Sequence, residues 1–260
     1  MKPPYPIVVC SKGRPKGTTF NLLRTAGLPY MVIVEPQDKD AYLETHKEAE
    51  LLVMEHDNLG LSYARQVALD SMDGRYWMLD DDISSFYRTN FVTHRCEKTD
   101  IVEALTCSQY EAGNAMLDVV GLSYRQFAWS AKTPVRAWTN ADGAVLINAL
   151  AVKEAGGRYN PDLKLKADRF FALECAMKGL RVGSVMAYAF SANMRAGNTD
   201  TPMLAGGQTT EYNDRLAIQR SVNLMKEHFG PMVTVVDKGG RPDIKVNWKP
   251  FRDREKVAMQ

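Results

Sequence analysis

The stretch RYWMLDDDISSFYR, residues 75–88, decides the fold. An apolar run, Tyr76 to Leu79, reads as a buried strand. Three consecutive carboxylates follow, Asp80, Asp81 and Asp82, and the chain turns apolar again at Ile83. Three adjacent negative charges repel one another, so solvent, basic side chains or a metal ion must compensate them. On extended backbone side chains alternate with period two, which lets Asp80 and Asp82 converge while Asp81 faces elsewhere. A hard divalent cation that itself holds a diphosphate suits such a pair. A solvated acidic turn, or Asp82 capping a helix over ISSF, is the other reading.

Working outward, the preceding residues repeat one pattern. Short apolar runs at 6–10 (PIVVC), 30–35 (YMVIVE) and 50–55 (ELLVME) alternate with segments of helical spacing, FNLLRTAG, DKDAYLETH and LSYARQVALDSM. Strands alternating with amphipathic helices predict βαβ units and a mostly parallel sheet flanked by helices. Ligands of such sheets bind beyond the carboxyl ends of the strands. The residues delivered there are Ser11, Lys12, Gly13 and Arg14 after the first strand and Glu35 after the second. Asp57 and Asn58 follow the third, and the acidic triplet ends the fourth. Asp38 reads as a helix cap, Ser62 as another, and Gly60 permits close backbone approach before a helix N-terminus that favours anions. Arg65, one turn into that helix, reaches a phosphate or pairs with the triplet. SKGRPKG lacks the GK[ST] ending of a Walker loop.

Composition bounds the rest. With 33 basic and 31 acidic residues the net charge is +2, and 260 residues suffice for a substantial core. No apolar run is long enough to span a bilayer and the start has no signal-peptide character, so a cytoplasmic protein without a membrane partner is expected. Cys10, Cys96, Cys107 and Cys175 have no metal spacing and are expected as reduced structural thiols. From Arg215 onward basic residues outnumber acidic ones about two to one.

The second half is more mixed. GLSYRQFAWS, DGAVLINA and RVGSVMAYAFS look like strands, and Ile101–Leu117 and Ala167–Lys178 like helices. Asn193 to Tyr212 is a long polar, Gly-rich loop, and Asp214–His228 is a helix. VTVVD and IKVNW form a strand pair. Asp168 heads its helix, where a carboxylate serves as a general base if it reaches an acceptor hydroxyl, or merely caps the helix. Tyr124, Phe127, Trp129 and Trp138 are core residues or a stacking platform. His46, His56, His94 and His228 have no partner at metal-ligand spacing. No linker or repeat divides the chain. One domain over 1–260 is expected, with a donor half at 1–95 and an acceptor half at 96–260 that ends in a basic extension.

Taken in order, SKGRP, NLGLSYARQVAL, YWMLDDDI and ADRFFALECAMKGLRVG resemble the motifs of GT-A glycosyltransferases. AFSANMRAG and the Gly206–Gly207 pair add a resemblance to the glycosyltransferases associated with the TET/J-binding-protein oxygenases. That group includes phage enzymes that place a sugar on a hydroxymethylated pyrimidine in DNA. The resemblance implies a GT-A fold, a UDP-sugar donor, and Mn²⁺ or Mg²⁺ held by Asp80 and Asp82, with Asn193 as a further ligand. It implies Asp168 as the base of an inverting transfer, though alanine at 167 departs from the usual acidic pair. Ser11, Lys12, Arg14, Glu35, Asn58, Gly60, Arg65, Asp80 and Asp81 would bind the donor. Trp138, Asn140, Asp142 and Arg195 would face the acceptor, 5-hydroxymethylcytosine in DNA, with the basic tail on phosphates; no protein partner is evident. Competing readings are a GT-A enzyme with a glycan, protein or small-molecule acceptor, a nucleotidyltransferase, and a catalytically silent nucleic-acid-binding protein.

Overall fold

The computed structural model describes residues 4–192 and 214–258. A ten-stranded sheet runs through it. The first four strands are β1 (Ile7–Cys10), β2 (Met31–Val34), β3 (Glu50–Val53) and β4 (Arg75–Asp80), interleaved with α1 (Thr18–Thr25), α2 (Lys39–Thr45) and α3 (Leu61–Ser71). They pair in parallel in the order β3-β2-β1-β4, with Val9 beside Val32 and Leu79. This is the βαβ half that the alternating pattern predicts.

The hairpin β5 (Ile83–Asn90) and β6 (Arg95–Thr99) follows, then α4 (Ile101–Asn114), β7 (Val119–Tyr124), the short α5 (Arg125–Ala128), β8 (Val135–Ala137) and β9 (Ala144–Asn148). After them come α6 (Ala149–Glu154), α7 (Ala167–Met177) and β10 (Val182–Ala192). The sheet continues β4-β9-β7-β10-β5-β6, with β8 on β10. β9 lies antiparallel between β4 and β7, and β10 runs parallel to β7. The ends of β1 to β4, β7 and β10 and the beginnings of β5 and β9 therefore share one edge. Residues 80, 124, 142 and 83 all arrive there.

Side-chain parity divides the core. Val8, Cys10, Tyr76 and Met78 pack with α3, α7 and α8 (Arg215–Phe229) on one face. Ile7, Val9, Trp77 and Leu79 pack with α1, α2 and α4 on the other. Extended by one residue each, this alternation sends Asp80 to the α3–α7 face and Asp81 to the α1–α2 face. Beyond α8, β11 (Val233–Asp237) and β12 (Pro242–Val246) form a separate hairpin sheet, followed by α9 (Lys249–Ala258).

Several local expectations are corrected. ISSF begins strand β5, so Asp82 caps no helix. α3 is entered through Gly60 at φ 90°, a left-handed conformation suited to glycine, and Ser62 Oγ donates to Leu163 O at 2.6 Å instead of capping. Asp38 caps nothing; its carboxylate accepts from Gly13 N at 2.8 Å. GLSYRQFAWS turns helical after Tyr124. The basic tail ends in helix α9, anchored by buried Trp248 and Phe251, rather than on a strand edge. Cys10 and Cys175 are buried, and the cysteines are free thiols.

Candidate active site

Arg65 organises the shared edge. Its position on α3 turns it toward β4, where Nη2 donates to Asp80 Oδ1 at 2.7 Å, while Nη1 lies 3.4 Å from Asp168 Oδ1. The guanidinium is almost fully buried, so the two carboxylates it faces are its charge compensation. Of the two partners left open for Arg65, phosphate or triplet, the structure gives the triplet together with Asp168.

Asp81 answers the other half of the opening problem. Its Oδ2 accepts from Ser11 Oγ at 2.6 Å, and its Oδ1 lies 3.2 Å from Arg14 Nη1. Tyr42, which the sequence did not single out, hydrogen-bonds Ser11 Oγ at 2.6 Å and accepts from Arg14 N at 2.9 Å. Buried His46 braces the same loop through Pro15 O at 2.7 Å. Lys12 Nζ contacts Glu35 at 2.7 Å and Asn58 Oδ1 at 2.6 Å, joining the ends of β1, β2 and β3. Ser11, Lys12, Arg14, Glu35 and Asn58 thus form one bonded cluster. Its link to Arg65 and Asp168 is the peptide bond between Asp80 and Asp81.

Asp80, Asp82 and Asp142 carry raised pKa values. Burial pushes Asp80 up to about 6 against the opposing pull of Arg65, with Asp168 adding to the rise. Burial, then the charges of Asp80 and Asp81, pushes Asp82 up to about 7. Asp142 is raised by burial and by Asp168, and its Oδ1 is buried without a hydrogen-bond partner among the described residues. Burial and the charges of Asp80, Asp168, Asp142 and Asp82 hold the Tyr124 hydroxyl protonated, so a neutral donor stands among four carboxylates. Tyr124 carried only a core or platform reading in the sequence. Its place at the end of a parallel strand was the signal for more.

Asp80 and Asp82 fit a divalent ion in part. They are hard oxygen ligands, and Asp82 has no ion pair among the described residues. No group of three His, Cys, Asp or Glu side chains among the described residues is arranged to hold a metal. Asn193 and Arg195 lie outside the described residues. Trp138 and Asn140 are engaged elsewhere. The Trp138 ring stacks on Phe251 at 5.3 Å and its N–H donates to Glu255 at 2.6 Å, while Asn140 Oδ1 accepts from Trp248 at 3.3 Å. Both fasten the segment that leads into and forms α9.

A mostly parallel sheet flanked by helices, with its strand ends gathered at one edge, is the GT-A fold. The solved structure of S. aureus TarS 1–349 in complex with UDP has the same fold, with a TM-score of 0.53 at 14% identity over 72% of this chain and 59% of that one. S. aureus TarS matches with a TM-score of 0.51 at 12% identity over 88% of this chain and 44% of that one. The chain thus spans about three fifths or less of those structures. No curated protein sequence matches. The model of the TET-Associated Glycosyltransferase family matches residues 5–193, and the chain belongs to that family. None of the helices among the described residues is long and apolar enough to cross a membrane.

Proposed function

We propose that the protein transfers a sugar from a UDP-sugar to a hydroxymethylated pyrimidine of the 5-hydroxymethylcytosine type in DNA, with inversion at the anomeric carbon. The observation that carries the catalytic part is the single buried guanidinium shared by Asp80 and Asp168. It supports a donor pole and a base pole held a fixed distance apart at the ligand edge of the sheet. The donor class is supported by the UDP complex of TarS, and the DNA acceptor by the family's association with TET oxygenases and by the basic tail.

In this reading the Ser11–Arg14 loop, Lys12 with Glu35 and Asn58, and Asp81 seat the nucleotide. Asp80 and Asp82 would hold Mn²⁺ or Mg²⁺, an ion that would supply the positive charge to neutralise a leaving diphosphate. The acceptor hydroxyl attacks the anomeric carbon, the bond to the diphosphate oxygen breaks, and Asp168 takes the hydroxyl proton. Arg65 keeps Asp168 pointed at the reacting atoms. Asp142 and the Tyr124 hydroxyl offer an acceptor and a donor to sugar or base hydroxyls at the same edge. The halves at 1–95 and 96–260 divide the work between donor and acceptor, although the sheet interleaves them.

The test is direct. The protein is incubated with Mn²⁺, a panel of UDP-sugars and DNA containing either cytosine or 5-hydroxymethylcytosine, and the digested nucleosides are weighed. A hexose or pentose mass gain on the hydroxymethylated nucleoside alone is expected. UDP release without any gain on DNA points to a glycan, protein or small-molecule acceptor instead.

A further inference from the structure

The aromatics between 124 and 138 part company in the fold. Tyr124 and Trp138 are half-buried, whereas Phe127 and Trp129 are 56% and 66% exposed. No ring contact among the described residues involves either exposed ring. The backbone beneath them is fixed. Ala128 and Ala131 are buried, and Ser130 Oγ donates to Phe127 O at 2.7 Å. Pro134 O accepts the backbone N–H groups of Met186 and Ala187 at 2.6 and 3.0 Å, and β8 pairs with β10. Two large apolar side chains are thus held out to solvent on an ordered turn, an arrangement that marks a binding surface.

Position and charge identify the occupant. α5 starts one residue after Tyr124, whose hydroxyl stands among the site carboxylates. The segment 125–136, RQFAWSAKTPVR, holds three cations and no acid. The Arg125 guanidinium lies over the Tyr87 ring at 4.4 Å, and Lys132 and Arg136 are exposed. Aromatic faces interleaved with cations match a polyanion whose units carry π-faces: bases stack on the rings and phosphates meet the cations.

We infer that Phe127 and Trp129 form a base-stacking platform for the nucleic-acid acceptor, with Arg125 and Lys132 on the adjoining phosphates. This rests on the DNA-acceptor reading above and adds to it a way of presenting the base. A nucleotide drawn out of a duplex loses its stacking partners, and an aromatic surface beside the site replaces them.

The test compares the full chain with the double variant F127A/W129A and, separately, K132E. The probe is a short single-stranded oligonucleotide with one 5-hydroxymethylcytosine. Of the four tryptophans Trp77 is fully buried, Trp248 nearly so and Trp138 half-buried, so oligonucleotide quenching of emission should come from Trp129 and vanish in W129F. F127A/W129A should lose affinity on the order of tenfold or more. K132E should weaken binding and flatten its salt dependence. Melting temperature and UDP affinity should stay unchanged. Sugar transfer to DNA by wild type, with equal binding and transfer by the double variant, overturns the platform and leaves the DNA acceptor standing. Failure of wild type to bind or modify any DNA removes both. A melting temperature several degrees lower in F127A/W129A means that the rings are covered by the chain itself, which also overturns the platform.

Discussion

Arg65 donates to Asp80 at 2.7 Å while its other terminal nitrogen faces Asp168 at 3.4 Å. One guanidinium, almost entirely removed from water, therefore sets the spacing between the end of β4 and the start of α7. A planar fork can serve two carboxylates at once; an ammonium cannot do so with the same geometry. R65Q should leave two half-buried carboxylates without their cation and cost about 2 kcal/mol of stability. R65K should recover most of the stability and much less of the turnover. Melting temperature and kcat, measured on the same preparations, separate the two effects.

Asp168→Asn should lower kcat by at least about a hundredfold, the usual contribution of a positioned general base. UDP-sugar affinity should change little, because Asp168 lies on the base side of Arg65. Calorimetric titration of the donor together with a turnover assay checks this; turnover at the wild-type rate would remove Asp168 from the mechanism.

Asp81 acts on the other face. Removing its contacts to Ser11 and Arg14, by D81N or S11A, loosens the loop that ends β1. Donor KM should rise with a smaller change in kcat, the signature of lost uniform binding. A fall in kcat at unchanged KM would argue against the donor assignment of this loop.

Treatment with EDTA should stop turnover and Mn²⁺ should restore it, with D80N and D82N responding poorly to added metal. Mn²⁺ binding followed by electron paramagnetic resonance, with and without UDP, reads the same dependence without relying on activity. Full turnover in the chelator would contradict the role given to the pair.

Asp243 supplies the pH prediction. It is 3% exposed, and despite its burial the bonds from Lys166, Lys238 and the Ile244 amide hold its carboxyl well below the usual range. A depressed folded pKa contributes stability that is fully present above the unfolded value, near 3.8, and is lost as pH falls toward the folded one. D243N should cost about 3 kcal/mol at neutral pH, since Lys166 is left buried and unpaired. The difference between variant and wild type should shrink in acid below about pH 4. Denaturant melts at pH 7 and pH 3 test the sign.

The βαβ half was legible because its signals are local. Period-two alternation through Tyr76, Trp77, Met78 and Leu79 carries on into Asp80 and Asp81 and separates them as expected. The position of Asp168 in the first turn of a helix was legible from the apolar residues behind it. What was not legible depends on partners far away in sequence. Tyr42 and Asp38 look like ordinary helix residues until the loop after β1 folds over them. Trp138 and Asn140 sit beside the D-G pair at 142–143 in sequence, yet their side-chain hydrogen bonds go to Glu255 and Trp248. Nothing in the pattern of DGAVLIN indicated that β9 would wedge antiparallel between β4 and β7, bringing Asp142 to the site edge.

The helix bearing Asp168 is entered through Lys166, a left-handed residue whose ammonium is held by the Asp243 carboxylate of the small β11–β12 sheet. During synthesis that pin arrives late. A nascent chain can complete the parallel strands and their loops while α7 still lacks its anchor, and truncation before β12 leaves it lacking permanently. Truncation before Pro242 should therefore yield a protein that still captures nucleotide and has lost the fixed orientation of its proton acceptor.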